Sequence, residues 1–527
     1  MTEMHWSRWG DPARAGRLPE GARALVEAAF GRVEEHRGTR LDDVALPDPG
    51  LSESHVAALR DLVGAEHVLL DREARIRHTR GKSTPDLLRI RAGDAQDAPD
   101  AVVLPADHDQ VAGVLAWCSA QRVALVPFGG GTSVVGGLAA RDDGYAGVVA
   151  LDLRRLDGLL ALDPESETAT LEAGMRGPQA ETLLGEHGFT LGHFPQSFEY
   201  ATIGGFAATR SSGQASSGYG RFDDLVVGVR VATPIGDLRL GSAPASAAGP
   251  DLRQLVLGSE GAFGVITAVT VRVRRRPALR VYEAWRFTSF RDGAAALRRL
   301  AQTRTAPSVL RLSDESETAV NLTRPDQVGG QSAGGCLMVV GHEGDDPGEV
   351  QAGRDRVTAT LTELGGTPLG EQPGVSWAQS RFDAPYMRDS MLDLGVLVET
   401  LETATFWSNL ATLYDAVRAA LESALGPEPP AIVLCHISHV YDSGASLYFT
   451  VGAKQGPDPV TQWAAAKAAA SDAIVAAGGT ITHHHAVGRD HRPWLAGEIG
   501  PVGVEILRAV KQRIDPAGVL NPGVLVP

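Results

Sequence analysis

Three glycine-rich stretches dominate what this chain can become: PFGGGTSVVGG (127–137), PQSFEYATIGGFAATRSSGQASSGYG (195–220) and GSEGAFGVI (258–266). Each adjoins a short apolar run that reads as a strand, and each carries Ser or Thr among its glycines. Glycines after a strand let successive backbone N–H groups converge on an anion, and neighbouring hydroxyls add donors. One such stretch is ordinarily a tight turn; three in one region point to a large phosphorylated ligand held by loops. None is a GxGxxG opening a helix with an acidic residue about 20 positions on, so an ordinary Rossmann dinucleotide site does not fit. RGKST (80–84) lacks the upstream glycine of a Walker phosphate loop and is not one.

The patterning around these loops predicts an α+β chain in four parts. Residues 1–96 read as mostly helical, with PEGARALVEAAFGRVEEH (19–36) and SESHVAALRDLVG (52–64), the latter opened by Ser52 as N-cap. Residues 97–277 alternate short strands (DAVVLP, VALVPF, GVVALDL, TATLEAG) with helices such as DHDQVAGVLAWCSAQ and RGPQAETLLGEHG. In VITAVTVRVRRRP, Val269, Val271 and Val273 face one way and Thr270, Arg272 and Arg274 the other, until Pro277 ends the strand and the part. Residues 278–480 form a second α+β unit of strands such as PSVLRLSD, GCLMVVGHEG, AIVLCHISHVYD and ASLYFTVGA between long helices, with QVGGQSAGG and GPEPP as loops. Its Ala-rich last helix stops at Gly478-Gly479. Residues 481–527 follow as a C-terminal segment.

A formal net charge of −15 and a pI near 5.5 argue against nucleic-acid binding, which needs a basic footprint. The three cysteines (Cys118, Cys336, Cys435) are far apart without a CxxC, which excludes a disulfide scaffold and suits a reducing cytoplasm. The N-terminal residues have no apolar signal core, and no window approaches the about 18 apolar residues of a membrane span, so a soluble intracellular chain is expected, with membrane-surface contact left open.

ITHHHAVG (481–488) places three histidines together. Extended, His483 and His485 would project to one face and His484 to the other, and a His-x-His pair binds zinc if a third ligand such as His491 is near. A solvated cluster and an acid–base cluster are the alternatives. In YDSGASLYFTVG, Ser446, Tyr448 and Thr450 share one strand face, and Leu447, Phe449 and Val451 the apolar one; a tyrosine there either caps a sheet or handles a proton. Arg311 in SVLRLSD and Arg388 in APYMRDSML, the second on a helix, are either surface ion pairs or anion ligands.

PFGGGTSVVGGL, GHFPQSFEYATIGGFAATRSSG, DDLVVGVRVATPIG and LGSEGAFGVIT resemble, in order and spacing, the flavin-binding domain of the vanillyl-alcohol-oxidase superfamily (PCMH-type). Within it, YDSGASLYF and GGTITHHHAVG resemble the alkyldihydroxyacetonephosphate synthase family. The resemblance runs from MHWSRWGDP to VKQRIDPAGVLNPG. It implies a PCMH-type FAD-binding domain of two α+β subdomains, plus a cap with an antiparallel sheet flanked by helices. It implies FAD held by Pro127, Phe128, Gly129, Gly130, Gly131, Thr132 and Ser133; by Pro195, Gln196, Ser197, Phe198, Glu199, Tyr200 and Ala201; by Ala208, Thr209, Arg210 and Ser211; and by Glu260, Gly261, Ala262, Phe263, Gly264, Val265 and Ile266. Residues 127–137 contain no His or Cys, in keeping with non-covalent flavin.

The resemblance further implies that His483, His484 and His485 form a metal-free, proton-handling wall and that Tyr448 is the catalytic tyrosine, with Tyr441 as the alternative. It places Arg388 on the substrate anion and Arg311 near the reacting centre. The implied reaction exchanges the acyl chain of acyl-dihydroxyacetone phosphate for a fatty alcohol through a flavin N5 adduct without net redox. The competing implication is an FAD-linked oxidase or dehydrogenase of a 2-hydroxy acid or alcohol. A homodimer is what the family suggests.

Overall fold

Residues 100–152 pair short Val/Ala/Leu runs with one amphipathic helix, and they make a small sheet with a parallel core. In the computed structural model, which describes residues 3–14, 18, 20–31, 38–139, 144–320 and 334–527, the strands Val68–Leu69, Ala101–Val103, Val148–Asp152 and Ala124–Phe128 lie side by side in that order. The last three run parallel, and helix His108–Gln121, capped by the Asp107 carboxylate on Gln110 N–H, joins two of them. Parallel strands are covered on both faces, which is why Val148–Asp152 is buried throughout.

A second, antiparallel sheet follows, ordered Leu159–Asp163, Thr168–Glu172, Val265–Arg272, Val226–Thr233, Gly236–Leu240. Val269, Val271 and Val273 are buried while Arg272 and Arg274 are exposed, the alternation read from the sequence. The two sheets share one apolar core that includes Leu115, Leu151, Phe206, Val269 and Leu520.

The remaining large sheet has seven strands, all pairing antiparallel: Thr367–Gly370, Leu279–Phe287, Cys336–Gly344, Val309–Ser313, Ile432–Ile437, Gly444–Lys454, Val396–Phe406. Helices Phe290–Gln302, Pro347–Glu363, Leu410–Leu425 and Pro459–Ala476 cover one of its faces through Leu297, Val357, Leu413 and Trp463, against Leu312, Leu401 and Phe449. The opposite face carries Arg311, His436, Tyr448 and Thr450 and looks into a cavity. Strand periodicity thus assigns Leu447, Phe449 and Val451 to the core and Tyr448 and Thr450 to the site.

The fold is the mixed α/β arrangement expected of a PCMH-type domain plus an antiparallel cap. Helix Glu20–Phe30 is present, whereas residues 32–36 of its expected continuation and residues 327–333 of the loop QVGGQSAGG lie outside the described residues. Among the described residues, no helix is long and apolar enough to cross a membrane.

Candidate active site

The first glycine loop leaves the strand Ala124–Phe128 and folds back on residues 200–202. A Cβ on Gly130 would lie 2.0 Å from the Tyr200 carbonyl oxygen, and one on Gly129 would lie 2.4 Å from Thr202 Oγ1, so this approach admits only glycine. Gly131 has φ +68, in the left-handed region. Among the described residues, none accepts a hydrogen bond from the backbone N–H of Gly129, Gly130, Gly131 or Thr132. N–H groups without protein acceptors, on residues that line a cavity, are suited to a ligand anion, so the loop fits a dinucleotide pyrophosphate.

The third loop is tied to the first by Asn521, whose Nδ2 donates to the carbonyls of Gly137 (3.0 Å) and Glu260 (2.7 Å). Glu260 accepts Gly488 N–H at 2.6 Å. Burial pushes its carboxyl up to about 8, with the N–H groups of Gly488 and Val487 pulling the other way.

A cavity of about 390 Å³ runs from these loops to the cap sheet. All seven residues expected from 127–133 line it, as do Pro195, Gln196, Ser197, Ala201, Ala208, Thr209, Ser211, Glu260, Gly261, Gly264, Val265 and Ile266. Six of the expected residues do not. Phe198 packs between Phe194 and Phe382, Glu199 pairs with Arg14, and Tyr200 packs against Trp9. Arg210 takes a left-handed conformation and donates to the carbonyls of Leu257 and Gln254, while Ala262 and Phe263 belong to an apolar cluster with Val487, Leu495 and Val524. The physical reason is the same throughout: a loop shows its ligand only some of its residues and anchors itself with the others.

The histidine triplet departs from the extended strand expected of it. Residues 483–485 form a bend wrapped around the buried Glu402 carboxylate, which accepts His483 N–H (2.6 Å), His484 N–H (3.1 Å), His485 N–H (2.8 Å) and the Thr482 hydroxyl (2.6 Å). His484 and His485 line the cavity, and His483 lies behind them. There His483 Nε2 meets Tyr441 Oη at 2.6 Å, and its Nδ1 lies 2.9 Å from His484 Nδ1. Ring nitrogens of His439, His483 and His484 fall within 4.8 Å of one another, a spacing an ion could bridge. His439 Nδ1, however, is held by Ser216 (2.7 Å) and Ser212 (3.0 Å), and His491, the third ligand considered from the sequence, turns its Nδ1 to the Ala486 carbonyl.

Burial lowers all three imidazoles, His483 well below its ordinary value and His485 to about 3, although Glu402 opposes it, and so favours their neutral forms. Tyr448 stacks on His436 (centroids 4.8 Å) and lies 6.0 and 5.6 Å from the rings of His484 and His485. Burial, aided by Glu399 and Glu402 and opposed by the Thr400 hydrogen bond and Arg388, pushes Tyr448 up to about 12. It stays protonated.

Arg311 pairs with the buried Glu317 and shares His436 Nδ1 (3.0 Å); Glu317 is held at about 2, burial being outweighed by His436 and Arg311. Arg388, on helix Ala384–Asp393, donates through Nη1 to the Lys82 carbonyl (2.7 Å). Among the described residues its Nε and Nη2 are buried without a hydrogen-bond acceptor, Nη2 lying 3.9 Å from Asp389 Oδ1 as an ion pair, and the residue lines the cavity. Met387, Met391, Val398 and Trp377 supply apolar wall beside it. Sequence reasoning singled out neither Glu402 nor His436 and His439. The HISH run and the two acids of VETLET inside an apolar strand were the available signals.

Residues 99–241 match the FAD binding domain family, and residues 276–525 match the C-terminal domain of FAD linked oxidases. The chain is 32% identical over 516 residues to an alkyldihydroxyacetonephosphate synthase of Dictyostelium discoideum, covering 94% of this chain and 84% of that protein. To the synthase of Trypanosoma brucei brucei it is 31% identical over 572 residues, covering 100% and 92%. A solved structure of alkyldihydroxyacetonephosphate synthase superposes with a TM-score of 0.84 at 29% identity, covering 99% of this chain and 98% of the other. FAD is the cofactor that these matches and the glycine cradle jointly indicate.

Proposed function

This chain belongs to the alkyldihydroxyacetonephosphate synthase family, and on that premise we propose that it exchanges the acyl chain of acyl-dihydroxyacetone phosphate for a long-chain alcohol. The carrying observation is a single cavity that joins the glycine cradle, a buried guanidinium with two open donors, apolar walls and a Tyr–His cluster. We assign FAD to residues 127–133, 195–197, 201, 208, 209, 211, 260, 261 and 264–266, and the parts of the chain to 97–277 (flavin domain) and 278–480 (cap). When bound, FAD supplies an electron-poor ring beside the carbon at which the exchange occurs.

The protein residues supply binding and proton transfer. Arg388 receives the substrate phosphate on its open Nε and Nη2, a geometry a planar guanidinium serves well. A neutral imidazole of His484 or His485 accepts the proton from C1 and returns it to that carbon after the alcohol has added. The Tyr448 hydroxyl, protonated through the physiological range, donates toward the departing carboxylate, and the entering alcohol returns a proton to the cluster. Arg311 orients His436 beside Tyr448. One C–O bond breaks and one forms at the same carbon, so acid leaves, ether remains, and no electrons are transferred overall.

Exposed Val502, Ile506 and Phe406 support peripheral contact with a lipid surface, the acidic composition and buried free cysteines support a cytoplasmic site, and family membership supports a homodimer. The test is anaerobic mixing with acyl-dihydroxyacetone phosphate and labelled long-chain alcohol. Labelled ether lipid, released fatty acid and a flavin left oxidised are expected. Full bleaching by a 2-hydroxy acid, with no alcohol incorporated, would make the chain an oxidoreductase.

A further inference from the structure

We propose that Glu402 is the positioning residue of this site: seated in the N–H groups of the histidine triplet, its carboxylate fixes the imidazole wall against Tyr448. The inference rests on the synthase reading above. Glu402 lies on the strand Val396–Phe406, directly opposite Tyr448 in the antiparallel register with Gly444–Lys454. The residue that holds the turn is thus the cross-strand partner of the residue the turn faces.

A carboxylate has about four acceptor sites, and residues 482–485 provide four donors to it, three of them consecutive backbone N–H groups. Successive N–H groups closing on an anion form the kind of concavity that proteins offer to ligands; here the anion belongs to the chain. Ala486, at φ +74, bends the backbone out of that ring. Arg221 grips the turn from the other side, donating to the His483 carbonyl at 3.1 Å. Among the described residues, the ion-pair partners of Glu402 are His484 (3.6 Å) and His485 (3.8 Å), with no Arg or Lys. A buried carboxylate paired only with imidazoles favours their protonated forms against the burial that depresses them, the direction needed when a histidine takes up a proton in turnover. Arg221, Lys467, His439, His491, Tyr441 and Tyr448 also face the triplet and set the background against which Glu402 acts.

The test compares holoenzyme of wild type, Glu402→Gln and Glu402→Asp. An amide cannot satisfy three N–H groups and carries no charge. Glu402→Gln is expected to retain FAD and a KM within about threefold of wild type, to lose about 10²-fold in kcat, and to shift the histidine limb of the kcat–pH profile to lower pH. Glu402→Asp, which keeps the charge on a shorter arm, restores the position of that limb while kcat stays reduced. If Glu402→Gln is not recovered with FAD, Thr482→Val is read instead: it removes one donor, keeps the anion, and should lower kcat several-fold with the limb unmoved. Wild-type kcat and an unmoved limb in Glu402→Gln, an unchanged kcat in Thr482→Val, or losses that track FAD content alone overturn the proposal. An inactive wild type would instead sink the synthase reading.

Discussion

The ring of His436 lies face to face with that of Tyr448, centroids 4.8 Å apart and planes inclined by 20°. His436 is itself locked by Glu317 and Arg311, so the phenol is held by a chain of contacts that ends in a buried ion pair. A general acid whose orientation is fixed in advance loses little entropy in the transition state.

Tyr448→Phe removes one hydroxyl and leaves that stack. Turnover should fall by about 10²–10⁴-fold with FAD retained. Because the phenol titrates only near 12, the wild-type rate should show no loss attributable to tyrosine ionisation below about pH 10. A basic limb near pH 8 that disappears in Tyr448→Phe would contradict this.

Arg388→Met removes the two open donors from the cavity wall. Hydrogen bonds to a charged group contribute about 1.5–3 kcal/mol each, so with two lost KM for the phosphate-bearing substrate should rise by about 10²-fold or more. Affinity for the alcohol should be unaffected, and steady-state kinetics with each substrate varied in turn separate the two.

Glu260 has a carboxyl raised to about 8 by burial, against an ordinary value of 4.5. The unfolded chain therefore releases a proton that the folded chain keeps. Between about pH 4.5 and pH 8 this group lowers stability as pH rises, by at most about 1.4 kcal/mol per unit. Urea titrations at pH 5 and pH 8 should show that loss in wild type and a smaller one in Glu260→Gln.

The flavin should leave the precipitated polypeptide on acid or heat treatment, since residues 127–137 contain no His or Cys that could link it. Gly130→Ala should abolish FAD binding, because its methyl group would have to enter the Tyr200 carbonyl. Yellow colour retained by the denatured chain would refute the first expectation, and full flavin occupancy in Gly130→Ala the second.

Local pattern carried the reading a long way where one segment suffices. The PFGGGTS loop follows its strand as the spacing demands, and the alternation of SLYFTV alone puts Tyr448 and Thr450 on one side. What failed needed partners remote in sequence. The triplet looked like a strand because nothing in ITHHHAVG shows that Glu402, some 80 residues earlier, takes its N–H groups. Likewise, Phe198, Tyr200 and Phe263 sit within flavin-loop motifs but face their own supporting packing, a distinction made by tertiary contacts.

Asn521 fastens the first glycine loop to the third, and Leu520 bridges Leu125 on the strand that leads into the cradle. During synthesis, both loops emerge from the ribosome long before the residue that joins them. A nascent chain stalled between residues 266 and 521 carries every glycine of the cradle and still lacks its clasp, so the joined cradle forms only once residue 521 has been made.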